Sequence, residues 1–148
     1  MSYSPLRQIL FCSLFILIAN PVLSQTTHSV AKANETVWVI AYPVKATKRA
    51  QYERFIHEIF WPGAKNLSAS EQKVFKQTRV LHPTKPEADG SYAYLFIMDP
   101  VVKGADYGIE SLLTKMYGKQ KAAEHFKLFK DAIIEKNYKD YRVTQSND

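Results

Sequence analysis

Residues 36–42 read Thr36-Val37-Trp38-Val39-Ile40-Ala41-Tyr42 and are closed by Pro43. Both alternating sets are apolar or aromatic: Val37, Val39 and Ala41 on one side, Trp38, Ile40 and Tyr42 on the other. A strand with one solvated face alternates apolar with polar side chains, so this pattern predicts a strand covered on both faces. Tyr92-Ala93-Tyr94-Leu95-Phe96-Ile97-Met98 repeats the pattern, and the segments around these two runs decide the fold.

Thr47 is placed to cap a helix in which Tyr52, Phe55, Ile56, Ile59 and Phe60 recur at i, i+3, i+4, i+7 and i+8. Trp61-Pro62-Gly63 ends it. Alternation across 73–82 predicts a second strand, joined to the run at 92–98 by a long turn holding Pro83, Pro86 and Gly90. An irregular stretch follows Asp99-Pro100. Ile109, Leu112, Leu113, Met116 and Tyr117 then keep helical spacing up to Gly118, and Ala122, Ala123, Phe126, Phe129 and Ile133 resume it. One kinked helix or two abutting helices are expected over 109–135. Residues 138–144 supply a last strand. The order β-α-β-β-α-β predicts an α+β, ferredoxin-like domain over 36–144, with a four-stranded antiparallel sheet and its helices on one face.

The chain has 148 residues, 46% hydrophobic and 23% charged, which suits one small domain with a true core and excludes a two-domain enzyme or a disordered chain. Residues 1–24 carry a single charge, Arg7, and an apolar run over 9–19 that is too short for the roughly 20 residues of a spanning helix. Asn20-Pro21 and the small Ser24 follow, so a signal peptide over 1–24 is expected, with the mature chain starting at Gln25 and exported to the periplasm or secreted. No transmembrane anchor is expected. Residues 25–35 read as a flexible leader and 145–148 as a tail.

Cys12 is the only cysteine, and cleavage would remove it. Disulfides, Cys-ligated metals and thiolate catalysis would go with it. Export also argues against a nucleic-acid partner despite the net charge of +6. Asn34-Glu35-Thr36 and Asn66-Leu67-Ser68 match the glycosylation pattern, which has meaning only in a eukaryotic host.

A sheet with helices on one face leaves the other face of the 36–42 and 92–98 strands apolar and uncovered, which predicts a homodimer formed through the sheet. This arrangement resembles the dimeric α/β-barrel superfamily, ferredoxin-like proteins that include antibiotic-biosynthesis-type monooxygenases, EthD-like proteins and stress-responsive barrels. The resemblance covers about 36–144 and rests on element order, the strand Val37 to Tyr42, the helix ending at Phe60-Trp61 and the strand Tyr94 to Met98. It implies a pocket between sheet and helices. Family members range from cofactor-free oxygenases to haem proteins to domains without known chemistry, so fold alone licenses no reaction.

His57-Glu58 begins like a zinc-protease helix, but position 61 is Trp and not His. Nucleophile-elbow, phosphate-loop and dinucleotide signatures are also missing. Near neutrality the acid–base candidates are His57, beside the apolar stripe of the first helix, and His125, beside Phe126. His28 lies in the leader and His82 ends a strand beside Pro83, where it reads as a loop anchor. Arg79 alternates with Phe75, Gln77 and Leu81, either as a cation for an anionic or enolic group or in an ion pair with Glu53 or Asp99. Trp38, Tyr42, Trp61, Tyr94 and Tyr117 are the candidate walls and hydroxyl donors for an aromatic ligand, against ordinary core packing. The interleaved charges over 115–142 read as a solvated helix face. The expected function is binding of a small apolar or aromatic molecule. A cofactor-independent oxygenase or isomerase using His57 or His125 as base, a non-catalytic stress-response dimer and a haem protein with an axial histidine stay open.

Overall fold

The structure is a computed structural model and describes residues 29–147. The expected signal peptide, the first part of the leader with His28, and Cys12 lie outside the described residues. The fold is α+β. Four strands, β1 (Thr36–Val44), β2 (Thr78–Leu81), β3 (Tyr92–Met98) and β4 (Lys139–Thr144), form one antiparallel sheet in the order β2-β3-β1-β4. Among the described residues no helix is long and apolar enough to cross a membrane.

Register sorts the strand residues into two faces. Trp38, Ile40 and Tyr42 of β1 pair with Met98, Phe96 and Tyr94 of β3 and, for Trp38 and Ile40, with Arg142 and Asp140 of β4. This face meets the helices, and Ile40, Tyr94, Phe96 and Met98 are buried there. The opposite face carries Val37, Val39 and Ala41, with Leu95 and Ile97 from β3, Leu81 from β2 and Tyr141 and Val143 from β4. Its central residues are only half-buried, and Leu81, Tyr141 and Val143 are 45%, 49% and 50% exposed.

The first helix, α1, covers 49–63 and is not uniform. An α-helical start, Arg49–Arg54, passes into a π-helical segment, Phe55–Phe60, and ends in the α turn Trp61–Gly63. A π turn bonds residues five apart, which returns them to one side of the helix. Phe55 and Phe60 accordingly stack at 5.7 Å and are both buried, with Tyr52 and Ile56. Thr47 caps nothing: it sits within a 3-10 turn, Ala46–Lys48, that precedes the helix.

The strand expected over 73–82 is corrected. Residues Ala69–Gln77 form a helix, α2, and β2 begins only at Thr78. Ser68-Ala69-Ser70-Glu71 is a capping box in which Ser68 Oγ accepts from the Glu71 N–H and the Glu71 carboxylate accepts from the Ser68 N–H at 3.1 Å. That start commits the segment to a helix, and Phe75 holds it down against Phe60 and Trp61 at 5.1 and 4.7 Å.

The long helical region resolves into two helices, α3 (Ile109–Tyr117) and α4 (Lys119–Ala132), parted by Gly118 at φ +77°. That left-handed conformation suits glycine, which has no Cβ to clash. The last strand, Lys139–Thr144, falls within the 138–144 expected for it, and Asp140 and Arg142 lie on this sheet edge, outside the helix face that the charge pattern over 115–142 describes.

Candidate functional site

Two adjoining cavities lie between the inner face of the sheet and the helices. The outer one is an open groove of about 1260 Å³ running under β4, bounded by β1, the segment 99–108 and α4. The inner one is about 320 Å³ and lies among β1, β3, α1, α2 and α3. Ile40, Tyr42, Ile109 and much of 102–107 line both, so that segment is the shared wall.

The groove exists because α4 covers β1 but stops short of β4. Phe129 packs edge-on to Tyr42 at 5.2 Å, while every residue of β4 remains exposed. Along the floor, the Trp38 indole N–H donates to Asp140 Oδ1, and the Arg142 guanidinium lies over the Trp38 ring at 4.2 Å. Tyr42 lies between Phe96, Phe129 and Tyr138. Burial first, then the neighbouring Tyr138 and Asp140, push its hydroxyl up to about 12. It is therefore a neutral donor throughout the physiological range.

The shared wall is fastened at several points. Val101 N–H donates to the Thr36 carbonyl at 2.8 Å, Val102 N–H donates to the Tyr107 hydroxyl at 2.9 Å, and the Tyr107 ring meets Trp38 edge-on at 5.7 Å. Lys115 of α3 reaches both Asp106 of the wall, at 2.8 Å, and Glu71 of α2, at 2.7 Å. Hydrogen bonds from Lys115 and Ser68 hold the Glu71 carboxyl down at about 2.

Of the residues expected to bind ligand, Trp38 and Tyr42 line the groove, and Tyr42 and Trp61 line the inner cavity. Tyr94 and Tyr117 line neither. Tyr94 is fully buried and its hydroxyl points away into a network, donating to Glu53 and accepting from Arg49 Nε at 3.1 Å. Burial, then the bond to Glu53, raise it to about 12. The Tyr117 hydroxyl donates to the Ile59 carbonyl at 2.6 Å, tying α3 to α1.

The three residues expected to act chemically are not brought together. His57 is exposed on the π-helical segment and stacks on His82 at 5.1 Å, while His82 also meets the Tyr94 ring at 5.3 Å. His125 packs edge-on to Tyr117 at 4.8 Å. Arg79 faces the uncovered side of the sheet and pairs with Asp99 at 2.9 Å, the second of the two roles its position allows. None of the three, and no described histidine, lines either cavity. Among the described residues no group of three side chains is arranged to hold a metal ion.

Sequence reasoning missed Asp140, Arg142, Tyr107 and the wall 99–108. The alternation of Tyr138, Asp140 and Arg142 was the available signal, because an antiparallel register places Asp140 and Arg142 beside Ile40 and Trp38, and the Tyr138 ring stacks on Tyr42 just before the strand. The chain matches no protein-family model, no curated protein and no solved structure.

Proposed function

We propose that this chain is an exported, periplasmic or secreted, ferredoxin-like protein that dimerises through its uncovered sheet face and binds a small apolar or aromatic molecule between sheet and helices. The observation that carries the reading is the pair of adjoining cavities floored by Trp38, Ile40 and Tyr42 and backed by Trp61. A concave site walled by apolar and aromatic side chains, with polar groups placed to orient the ligand, is the usual form of a small-molecule pocket. The strand order β4-β1-β3-β2 supports the ferredoxin-like topology and the dimeric α/β-barrel likeness. The half-buried Val39, Ala41, Leu95 and Ile97, flanked by exposed Leu81, Tyr141 and Val143, support a second copy as the cover of that face. The positions of His57, Arg79 and His125 away from both cavities favour binding over turnover by those residues, and among the described residues no histidine lines the cavities to serve a haem as axial ligand.

The binding reading is tested by titrating the purified protein with the uncharged dye N-phenylnaphthylamine. Dye emission should rise on addition of protein, and Ala105→Trp, which enlarges a residue lining both cavities, should abolish the rise. No enhancement, or enhancement undiminished in the variant, contradicts the reading. For the dimer, sedimentation should give two copies for the wild type and one for the double variant Tyr141→Lys/Val143→Lys; a wild-type monomer at high concentration removes the claim.

A further inference from the structure

We infer that the ligand of the groove is an amphipathic carboxylate whose anionic end is received by Arg142; this rests on the reading of the cavities as a small-molecule site. Most of the charged groups along the groove are already engaged. Lys130 and Glu135 pair with each other, Asp106 is held by Lys115, Glu35 accepts from the Lys32 N–H at 2.7 Å, and Asp140 accepts the Trp38 indole N–H. Lys103 of the wall and Glu110 of α3, opposite in sign, also line the groove.

Arg142 differs from the paired groups. Its guanidinium carbon lies 4.2 Å from the centre of the Trp38 ring, and the side chain makes no ion pair or hydrogen bond among the described residues. Asp140, two residues away on the same face of β4, is turned to the indole and not to the arginine. A guanidinium held over an aromatic ring keeps N–H groups free at its edge, and these match the two oxygens of a carboxylate. The contact with Trp38 restrains the cation before any ligand arrives, which lowers the ordering cost of binding. Beyond Trp38 the floor turns apolar, with Ile40, Phe129 and Ile133 lining the groove. A ligand with its charge on Arg142 lays its hydrocarbon on these residues, and a neutral ligand of the same shape forfeits only the charged contact.

The test is isothermal titration of the purified protein with naphthylacetate and with naphthylacetamide, its neutral near-isostere. The wild type should bind the carboxylate about tenfold more tightly than the amide, the scale of one charge-assisted contact at a solvent-exposed site. Arg142→Gln should bind both at the amide's affinity, and its retained amide binding shows that the variant is folded. Arg79→Gln, an arginine on the opposite face, should keep the tenfold preference. Equal wild-type affinities, or a preference that survives in Arg142→Gln, overturn the inference and leave the ligand site standing. Failure of the wild type to bind either compound overturns the ligand site and the inference with it.

Discussion

The two neighbours of β1 give its inner face opposite surroundings. On one side Ile40 pairs with Phe96 of β3, and on the other with Asp140 of β4. Phe96 is 5% exposed beneath the helices, whereas Asp140 and all of β4 remain exposed. A single central strand thus separates a packed half of the sheet from a half that forms the floor of a groove. The difference follows from helix coverage: α1 supplies Tyr52, Phe55, Ile56 and Phe60 to the core, while α4 ends at Ala132, before the chain turns into β4. Stability is concentrated where apolar area is removed from water, and binding capacity where it is not.

Truncation at matched register positions is the most direct way to break this contrast. Phe96→Ala leaves a cavity among Tyr42, Trp61 and Ile40, and should cost about 3–5 kcal/mol in urea unfolding. Asp140→Ala removes one exposed hydrogen bond to Trp38 and should cost no more than about 1 kcal/mol. Comparable losses at the two positions would show that β4 is as much a part of the core as β3.

A second substitution sharpens the picture of the packed half. A Cβ on Gly63, at the end of α1, would stand 2.6 Å from the Tyr117 hydroxyl oxygen and 2.8 Å from two ring carbons. Gly63→Ala must therefore displace the ring and stretch its bond to the Ile59 carbonyl. Overpacking of this kind costs about 1–3 kcal/mol. The loss should largely vanish in a Tyr117→Ala background, as a thermodynamic cycle would show; additive losses would mean that the contact is not the cause.

The packed half is also the half most legible in the sequence. The alternation at 36–42 and 92–98 places Ile40, Tyr94, Phe96 and Met98 on one face, and the periodicity of 52–60 selects the residues of α1 that are buried. These signals work because apolar residues repeat with the period of the element that buries them. Alternation misleads over 73–77, where the capping box at Ser68 and Glu71 settles the conformation from outside the periodic segment. It also gives no hint of the π-helical turn, whose five-residue return looks like ordinary helical spacing. The groove is harder still. Trp38, Tyr42 and Trp61 are recognisable as aromatics on strands and at a helix end, but Arg142 and Asp140 acquire meaning only through their register opposite Trp38 and Ile40. Tyr94 shows the converse: its position on the inner face suggests a ligand wall, yet its hydroxyl is committed to Glu53 and Arg49.

The smallest expected effect concerns the wall of the cavities, which is fastened by exposed charges as well as by packing. Lys115 joins Asp106 to Glu71. Partial burial raises the Asp106 carboxyl, but hydrogen bonds from Lys115, Ser111 and Gly108 outweigh it and leave the group below its ordinary value. The Lys115 ammonium is raised by Asp106 and then by Glu71. A carboxyl lowered by folding stabilises fully above its ordinary value, 4.5 for Glu71, and loses that contribution as the pH falls toward about 2. An ammonium raised by folding contributes fully below its ordinary value, 10.5, and loses its share as the pH rises beyond it. The network therefore supports the fold between about pH 4.5 and 10.5 and weakens on both sides. Lys115→Met should be slightly less stable than the wild type within that window, with the two unfolding midpoints converging as the pH is lowered toward 2. Because the lysine is exposed, salt should shrink the difference as well. A deficit that persists unchanged at low pH would assign the role of Lys115 to the packing of its hydrocarbon stem, and the groove wall would then be held in the same way as the core.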